Sequence, residues 1–299
     1  MHGRPAPLGI LRGAAGGAPE GATGPDDPAE TPGAGGFVKA MILAAGLGTR
    51  LQPLTDARPK ALVEVAGRPM LYWVIARLAR HGFTDIIINA HHFAEQIEAF
   101  TAAYGGPGVS LTVSVEEEIL DTGGGVRKAG WFFDREEPFL VHNVDVLTDL
   151  DLSEMMTAHR ASDDGSASGT HSASGALATL AVKGRKSSRH LLFDKVGRLG
   201  GWRSDITGET RTVRPMEGPV TALPFLGVYV MSPAALSKMT EPGPFSIIDF
   251  FLDLARTGET VQAFRADEAR WADLGSVNRI AAAERLFGTD WFADSVEKT

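Results

Sequence analysis

The feature that most restricts the fold is a short apolar run that breaks into glycine. Residues 40–45 (AMILAA) have the length and composition of a buried strand. Gly46-Leu47-Gly48-Thr49 follows at once, and glycines there permit positive φ and let a ligand approach the backbone. Arg50 and Lys60 bring two cations soon afterwards. A strand, a glycine loop and fixed positive charge together make a phosphate cradle.

Two common cradles are excluded by single positions. A P-loop needs Lys-Ser or Lys-Thr after its glycines, and neither pair follows; a dinucleotide fingerprint needs a third glycine where Leu51 stands. The run Leu43-Ala44-Ala45-Gly46-Leu47-Gly48-Thr49-Arg50-Leu51, with Pro53-Leu54-Thr55 and Pro59-Lys60 after it, closely resembles the signature of sugar-phosphate nucleotidyltransferases. A later segment, Leu120-Asp121-Thr122-Gly123-Gly124-Gly125, resembles the stretch that passes beside base and ribose in that family. Its Asp-Thr-Gly-Gly-Gly form is most similar to N-acetylmuramic acid 1-phosphate uridylyltransferase-like proteins. The likeness extends over residues 38–287.

The rest of the chain reads as strand alternating with helix. Apolar residues at 70, 71, 74, 75 and 78 share one helix face, and Gly82 ends that helix. Strands are expected at 85–89, 109–115 and 139–141, with a helix at 94–104 between the first two. Residues 121–125 read as a second glycine loop leading into a helix from 126. Strands at 177–182, 225–231, 261–264 and 269–271 and helices over 245–255 and 276–286 continue the pattern, with short strands at 191–193 and 200–202 as an antiparallel excursion. Such alternation builds an α/β fold, a doubly wound and mostly parallel sheet of Rossmann-like type, with ligands beyond the carboxyl ends of the strands. Both glycine loops and Asp145 fall at such ends.

Outside this pattern, residues 1–36 are rich in glycine, proline and alanine without periodicity, which predicts a disordered extension. Residues 161–175 are low in complexity and read as a loop. The nucleotidyltransferase domain is expected over 37–288 and a tail over 289–299. A net charge of −8 argues against nucleic acid as a partner, so a nucleotide substrate needs local cations. No cysteine is present, which excludes thiolate catalysis and disulfides. No apolar run is long enough to span a bilayer, and a cytoplasmic location is expected, with a homo-oligomer left open.

Transfer of a nucleotide to a phosphate needs no serine nucleophile or general base, because the attacking phosphate is already largely ionised near neutral pH. It needs positioning and positive charge. Arg50 can hold two phosphate oxygens in its planar fork, and Lys60, restrained by Pro59, supplies a second cation. Both match phosphate-contacting residues of the family. Asp145 matches the family's metal aspartate, with Val144 in place of its usual glycine, and Asp273 in Trp271-Ala272-Asp273-Leu274-Gly275 matches the second. The resemblance therefore implies Mg²⁺ on Asp145 and Asp273, with Arg50, Lys60 and Asp145 catalytic. It implies nucleotide contacts at Ala44, Ala45, Gly46, Gly48, Thr49, Asp121, Gly123 and Gly124. On the acceptor side Asn143, Arg185, Arg189 and Gly227 are candidates, with Lys186 in the same basic cluster. His91 and His92 lack a third ligand at metal spacing and read as structural. The expected substrates are a nucleoside triphosphate and a sugar 1-phosphate, with uridylyl transfer to an amino sugar first. Cytidylyl transfer to a phosphorylated alcohol and a catalytically silent nucleotide-sugar sensor are the alternatives.

Overall fold

Alternate residues of the core strands feed opposite sides of one sheet. In β1 (Val38–Leu43), Ala40 and Ile42 join one apolar cluster while Met41 and Leu43 join the other, as the two-residue period of a strand requires. The structure is a computed structural model, and it describes residues 38–106, 108–133, 137–163 and 175–297. The expected N-terminal extension and most of the low-complexity segment lie outside the described residues.

After β1 the chain makes a small hairpin, β2 (Glu64–Val65) with β3 (Arg68–Pro69), and enters α1 (Met70–Arg80). Gly82, at φ 81°, ends that turn of chain and β4 (Phe83–Ala90) begins. Then come α2 (Ala94–Ala103), β5 (Ser110–Val115), α3 (Asp121–Lys128) and β6 (Phe139–Asn143). The second half holds β7 (Val146–Thr148), α4 (Leu152–Asp163), β8 (Ala178–Val182), β9 (Arg189–Phe193) and β10 (Leu199–Ser204). It continues through β11 (Thr210–Thr212), β12 (Thr221–Leu223), β13 (Phe225–Met231), α5 (Pro233–Ser237) and α6 (Ile247–Arg256). It ends with β14 (Val261–Arg265), β15 (Trp271–Asp273) and α7 (Val277–Glu297).

Seven strands form the central sheet in the order β14-β8-β13-β6-β1-β4-β5. All neighbouring pairs are parallel except those of β13, which runs antiparallel to both β6 and β8. Side chains of α1 and α7 pack with Ile42, and those of α3 and α6 with Met41, so helices cover both faces. This is the expected doubly wound α/β fold.

Three local expectations are corrected and one is extended. The residues read as a second glycine loop are the first turns of α3, not a loop. The segment read as a closing strand at 269–271 is instead β15, which leaves the sheet and pairs with β7 in a separate ribbon. The expected antiparallel excursion is present, with β9 and β10 antiparallel, and two further strands extend it to a four-stranded sheet, β11-β10-β9-β12. Residues 289–297 are not a tail: α7 runs on past a break at Gly288 (φ 72°). The reason is aromatic burial, since Phe292 is buried against Trp73, with ring centroids 4.8 Å apart, and Trp291 lies 4.6 Å from Phe287.

Candidate active site

The register of the central sheet lines up the ends of four strands. Leu43 is level with Asn89 on β4 and with Asn143 on β6, and Val228 of β13 is level with His142. Gly227 thus lies beside Asn143. It stands at φ 79°, and a Cβ there would come within 2.8 Å of the Asn143 amide nitrogen. Only glycine lets β13 approach so closely. The two acceptor candidates are brought into contact by this backbone.

The first glycine loop is fixed by its neighbours. Ala44 N–H donates to Asn89 Oδ1 at 2.7 Å, and Thr55 Oγ1 donates to the Gly48 carbonyl at 3.0 Å. Gly48 is left-handed at φ 68°, and a Cβ there would meet the Lys60 side chain at 2.9 Å. Nothing lies within 4 Å of the Cβ position of Gly46, which faces open space. Ala45, Gly46, Lys60, Asp121, Asn143 and Asp145 line one cavity of about 190 Å³, together with Asn89, Thr122 and Val144. Val144, where the family has glycine, turns its side chain into the core and is 3% exposed.

A larger cavity of about 780 Å³ collects the remaining charge: Arg50, Arg185, Lys186, Arg189, Arg279 and Asp273 line it. Arg185 stacks on the Trp271 ring, 4.1 Å from its centroid, and donates to the Phe225 carbonyl at 3.3 Å. Burial lowers the pKa of Arg185, an effect that the Asp273 carboxylate partly opposes. Arg50 reaches the backbone of Gly275, where its guanidinium stands 2.7 Å from the position a Cβ would take.

Asp145 and Asp273 meet across the β7–β15 ribbon. Asp273 is level with Val146, and Leu274 N–H donates to the Asp145 carbonyl at 2.8 Å. Asp145 is ion-paired with Lys60, and Asp273 with Arg279; Asp273 Oδ1 also accepts from Gly275 N–H at 2.7 Å. The two residues are thus neighbours through the backbone, and each carboxylate already opposes a cation. No group of three or more metal-ligating side chains occurs among the described residues.

Other predicted positions do different work. Ala44 is 4% exposed and only its N–H is engaged, while Thr49 is exposed at the loop rim and lines neither cavity. Gly123 and Gly124, expected to contact the nucleotide, both have their N–H groups engaged within the fold, donating to the Phe245 carbonyl at 2.9 and 3.4 Å. Their missing side chains admit α6's approach: a Cβ at Gly123 would stand 2.3 Å from the Phe245 ring. His91 Nδ1 lies 2.9 Å from the Glu116 carbonyl, a structural contact.

Asn89, in the wall of the smaller cavity, and its hydrogen-bond partner Glu116 are residues that sequence reasoning misses. Asn89 donates to Glu116 Oε1 at 2.7 Å, and Glu116 Oε2 accepts from Leu120 N–H at 3.1 Å. Both side chains are buried, at 2% exposed each. The signal available was a polar residue ending the apolar run IIIN.

A cation-lined cleft at the carboxyl ends of a doubly wound sheet is the arrangement of nucleotide-handling α/β proteins. Comparison with known proteins narrows this. The model of the Nucleotidyl transferase family matches residues 39–174. An N-acetylmuramate alpha-1-phosphate uridylyltransferase of Caulobacter vibrioides is 30% identical over 249 residues, covering 82% of this chain and 95% of that protein. The protein of the same name from Neisseria meningitidis is 45% identical over 117 residues, 39% of this chain and only half of that relative's length. A UDP-glucose pyrophosphorylase structure from Acinetobacter baumannii shares the fold, with TM-score 0.68 over 85% of this chain and 94% of that one, at 20% identity. The chain belongs to the nucleotidyl transferase family, among its sugar-1-phosphate members.

Proposed function

We propose that this protein transfers a uridylyl group from UTP to the phosphate of an amino-sugar 1-phosphate, giving a nucleotide sugar and pyrophosphate. The observation that carries this reading is the backbone pairing that links residues of two charged cavities. Lys60 and Asp145 line the smaller one, Arg50 and Asp273 the larger, and the two aspartates adjoin on paired strands. Two relatives named for uridylyl transfer to N-acetylmuramate 1-phosphate support the choice of base and sugar.

In the reaction an oxygen of the sugar phosphate forms a bond to the α-phosphorus, and the bond from that phosphorus to the bridging oxygen breaks. The electron pair leaves with pyrophosphate. Charge is the obstacle, and fixed cations reduce it without reorganising. Arg50 would bind the departing phosphates through its fork, and Lys60 would sit against the α-phosphate. Asn143 and Arg185 would hold the acceptor. Mg²⁺ takes one or two carboxylates and completes its shell with phosphate oxygens and water. Asp145 and Asp273, oxygen donors that are neighbours through the backbone, would be its carboxylates; bound there, the ion would neutralise triphosphate charge. Lys60 and Arg279 would then be released from their carboxylates to meet phosphate.

Pyrophosphate release tests the reading. With Mg²⁺ present, each of the four nucleoside triphosphates is offered with a panel of phosphorylated sugars and alcohols. Release that requires UTP and an amino-sugar 1-phosphate is expected. Release with CTP and a phosphorylated alcohol instead would overturn the substrate assignment, and nucleotide binding with no release would favour a sensor.

A further inference from the structure

The two margins of the central sheet are finished differently. At β14 the small antiparallel sheet closes the edge: Ala263 N–H donates to the Gly197 carbonyl at 2.9 Å, and Gln262 pairs with Arg198. At the other margin β5 pairs with β4 and, among the described residues, with no other strand. The core thins there. Ile86 and Ile88 of β4 are 0% exposed, while Leu111 and Val113, level with them on β5, are only partly buried. Phe100 of α2 and Tyr104 at its end, which belong to the same apolar cluster, are also only partly buried.

β5 (SLTVSV) lacks the residues that usually guard an open edge, since it holds no charged side chain and no proline. Glu116 N–H donates to the Ala90 carbonyl at 2.7 Å. Successive residues of a strand direct their N–H and C=O groups to opposite sides, so residues 110, 112 and 114 address β4 and residues 111, 113 and 115 face outward. The Val115 carbonyl is taken by Lys128 Nζ at 2.5 Å. Leu111 and Val113 thus present a row of outward N–H and C=O groups, which an extended strand completes. The strand is its own complement. Laid antiparallel about a two-fold axis at Thr112, Leu111 meets Val113 of the second copy and Ser110 meets Ser114, apolar against apolar and hydroxyl against hydroxyl. Leu111 and Val113 then exchange both backbone bonds, with the two Thr112 residues as the closer pair between them. An axis at Val113 would instead need the carbonyl that Lys128 holds.

We infer that β5 is a self-association surface: two copies of this chain pair through it, antiparallel about Thr112, and continue one sheet across the dimer. The pairing does not depend on which substrates the site takes.

A chain without cysteine reports a new disulfide without ambiguity. In the paired strands the two Thr112 Cα atoms stand about 4.5 Å apart, within the span of a disulfide. Each Ser110, by contrast, is displaced about 14 Å along the strands from its counterpart. Under mild oxidation Thr112→Cys should be captured as a covalent dimer, while Ser110→Cys stays a single chain. Sedimentation velocity of the full wild-type chain over a wide range of concentration should show a species of twice 31.7 kDa. Thr112→Lys, which sets two ammonium groups face to face, should remain monomeric where the wild type dimerises, with unchanged circular dichroism. A monomeric wild type at every concentration, a Thr112→Lys chain that still dimerises, or equal cross-linking of the two cysteine variants would overturn the inference.

Discussion

Two residues divide the chemistry from the scaffold most cleanly. Arg50 is exposed on a single helical turn after the glycine loop, with no carboxylate partner among the described residues. Its replacement by alanine removes almost no packing, and on the proposed reading it removes a phosphate contact. Asp145 differs: its side chain is 19% exposed and Lys60 leans on it. Removing that carboxylate leaves a half-buried ammonium unpaired, which costs about 1–3 kcal/mol of stability. We therefore expect Arg50→Ala to reduce pyrophosphate release by roughly 10²–10³-fold, the usual effect of deleting one charge-stabilising donor, without shifting the unfolding midpoint. Asp145→Asn, which keeps the shape and an acceptor oxygen, should lose turnover to a similar degree with a smaller melting penalty than Asp145→Ala. Full activity in any of these variants would show that the chemistry lies elsewhere.

Between elements, the buried Asn89–Glu116 pair ties the first glycine loop to the start of α3. Ala44 N–H, Asn89, Glu116 and Leu120 N–H form one run of hydrogen bonds spanning β1, β4 and the turn before the helix. Gly125 makes room for it, since a Cβ there would stand 2.7 Å from Asn89 Nδ2 and 2.8 Å from Glu116 Oε1. Glu116→Gln turns an amide N–H₂ toward a donor, and Asn89→Asp sets carboxylate against carboxylate. Each single change should raise KM for the triphosphate, because the walls of the smaller cavity lose their common anchor. The double substitution restores a donor for every acceptor with the roles exchanged, and it should recover most of the loss; a double variant as poor as the worse single one would refute the coupling. The same hydrogen bonds mark the limit of what local sequence pattern reveals. The strand–helix alternation was legible from local periodicity, while Arg50, Lys60 and Asp145 stood out through motifs that resemble the family's, and the structure brings Lys60 and Asp145 into one cavity. A pair 27 residues apart in sequence is not local. Three successive glycines argue for a loop by propensity, yet α3 forms because they admit Phe245 and the Asn89–Glu116 pair. Three-residue β15 carries too little pattern to reveal that it leaves the sheet for β7.

Over the whole molecule, histidines that burial keeps neutral and the reaction does not use contribute to acid lability, and among them His159 has both ring nitrogens bonded. His159 of α4 is fully buried between β8 and the turn after β13. Ser232 Oγ donates to the Ala176 carbonyl at 2.8 Å, so it accepts from His159 Nε2–H at 2.9 Å. His159 Nδ1 then accepts from Thr179 Oγ1 at 2.7 Å, and Thr179 in turn accepts from Gln262 at 3.0 Å. Every position around the ring is filled for a neutral imidazole. Burial, helped by the neighbouring Arg160, lowers its pKa from 6.5 to about 4. Above pH 6.5 folded and unfolded chains both hold it neutral, and it adds no pH dependence. As pH falls from 6.5 toward about 4 only the unfolded chain takes the proton, so stability is lost across that window. The loss approaches about 3 kcal/mol, because a tenfold difference in proton affinity between folded and unfolded chains is worth ~1.4 kcal/mol. His142, buried under the site, and His81, at the end of α1, are also lowered to about 4, chiefly by burial, and act in the same direction. Chemical denaturation at pH 7 and pH 5 should therefore show a marked fall in stability for the wild type. His159→Gln, which offers a donor and an acceptor but cannot titrate, should be less stable at pH 7 yet lose less between the two pH values. An unchanged pH slope in that variant would assign the acid lability to other groups.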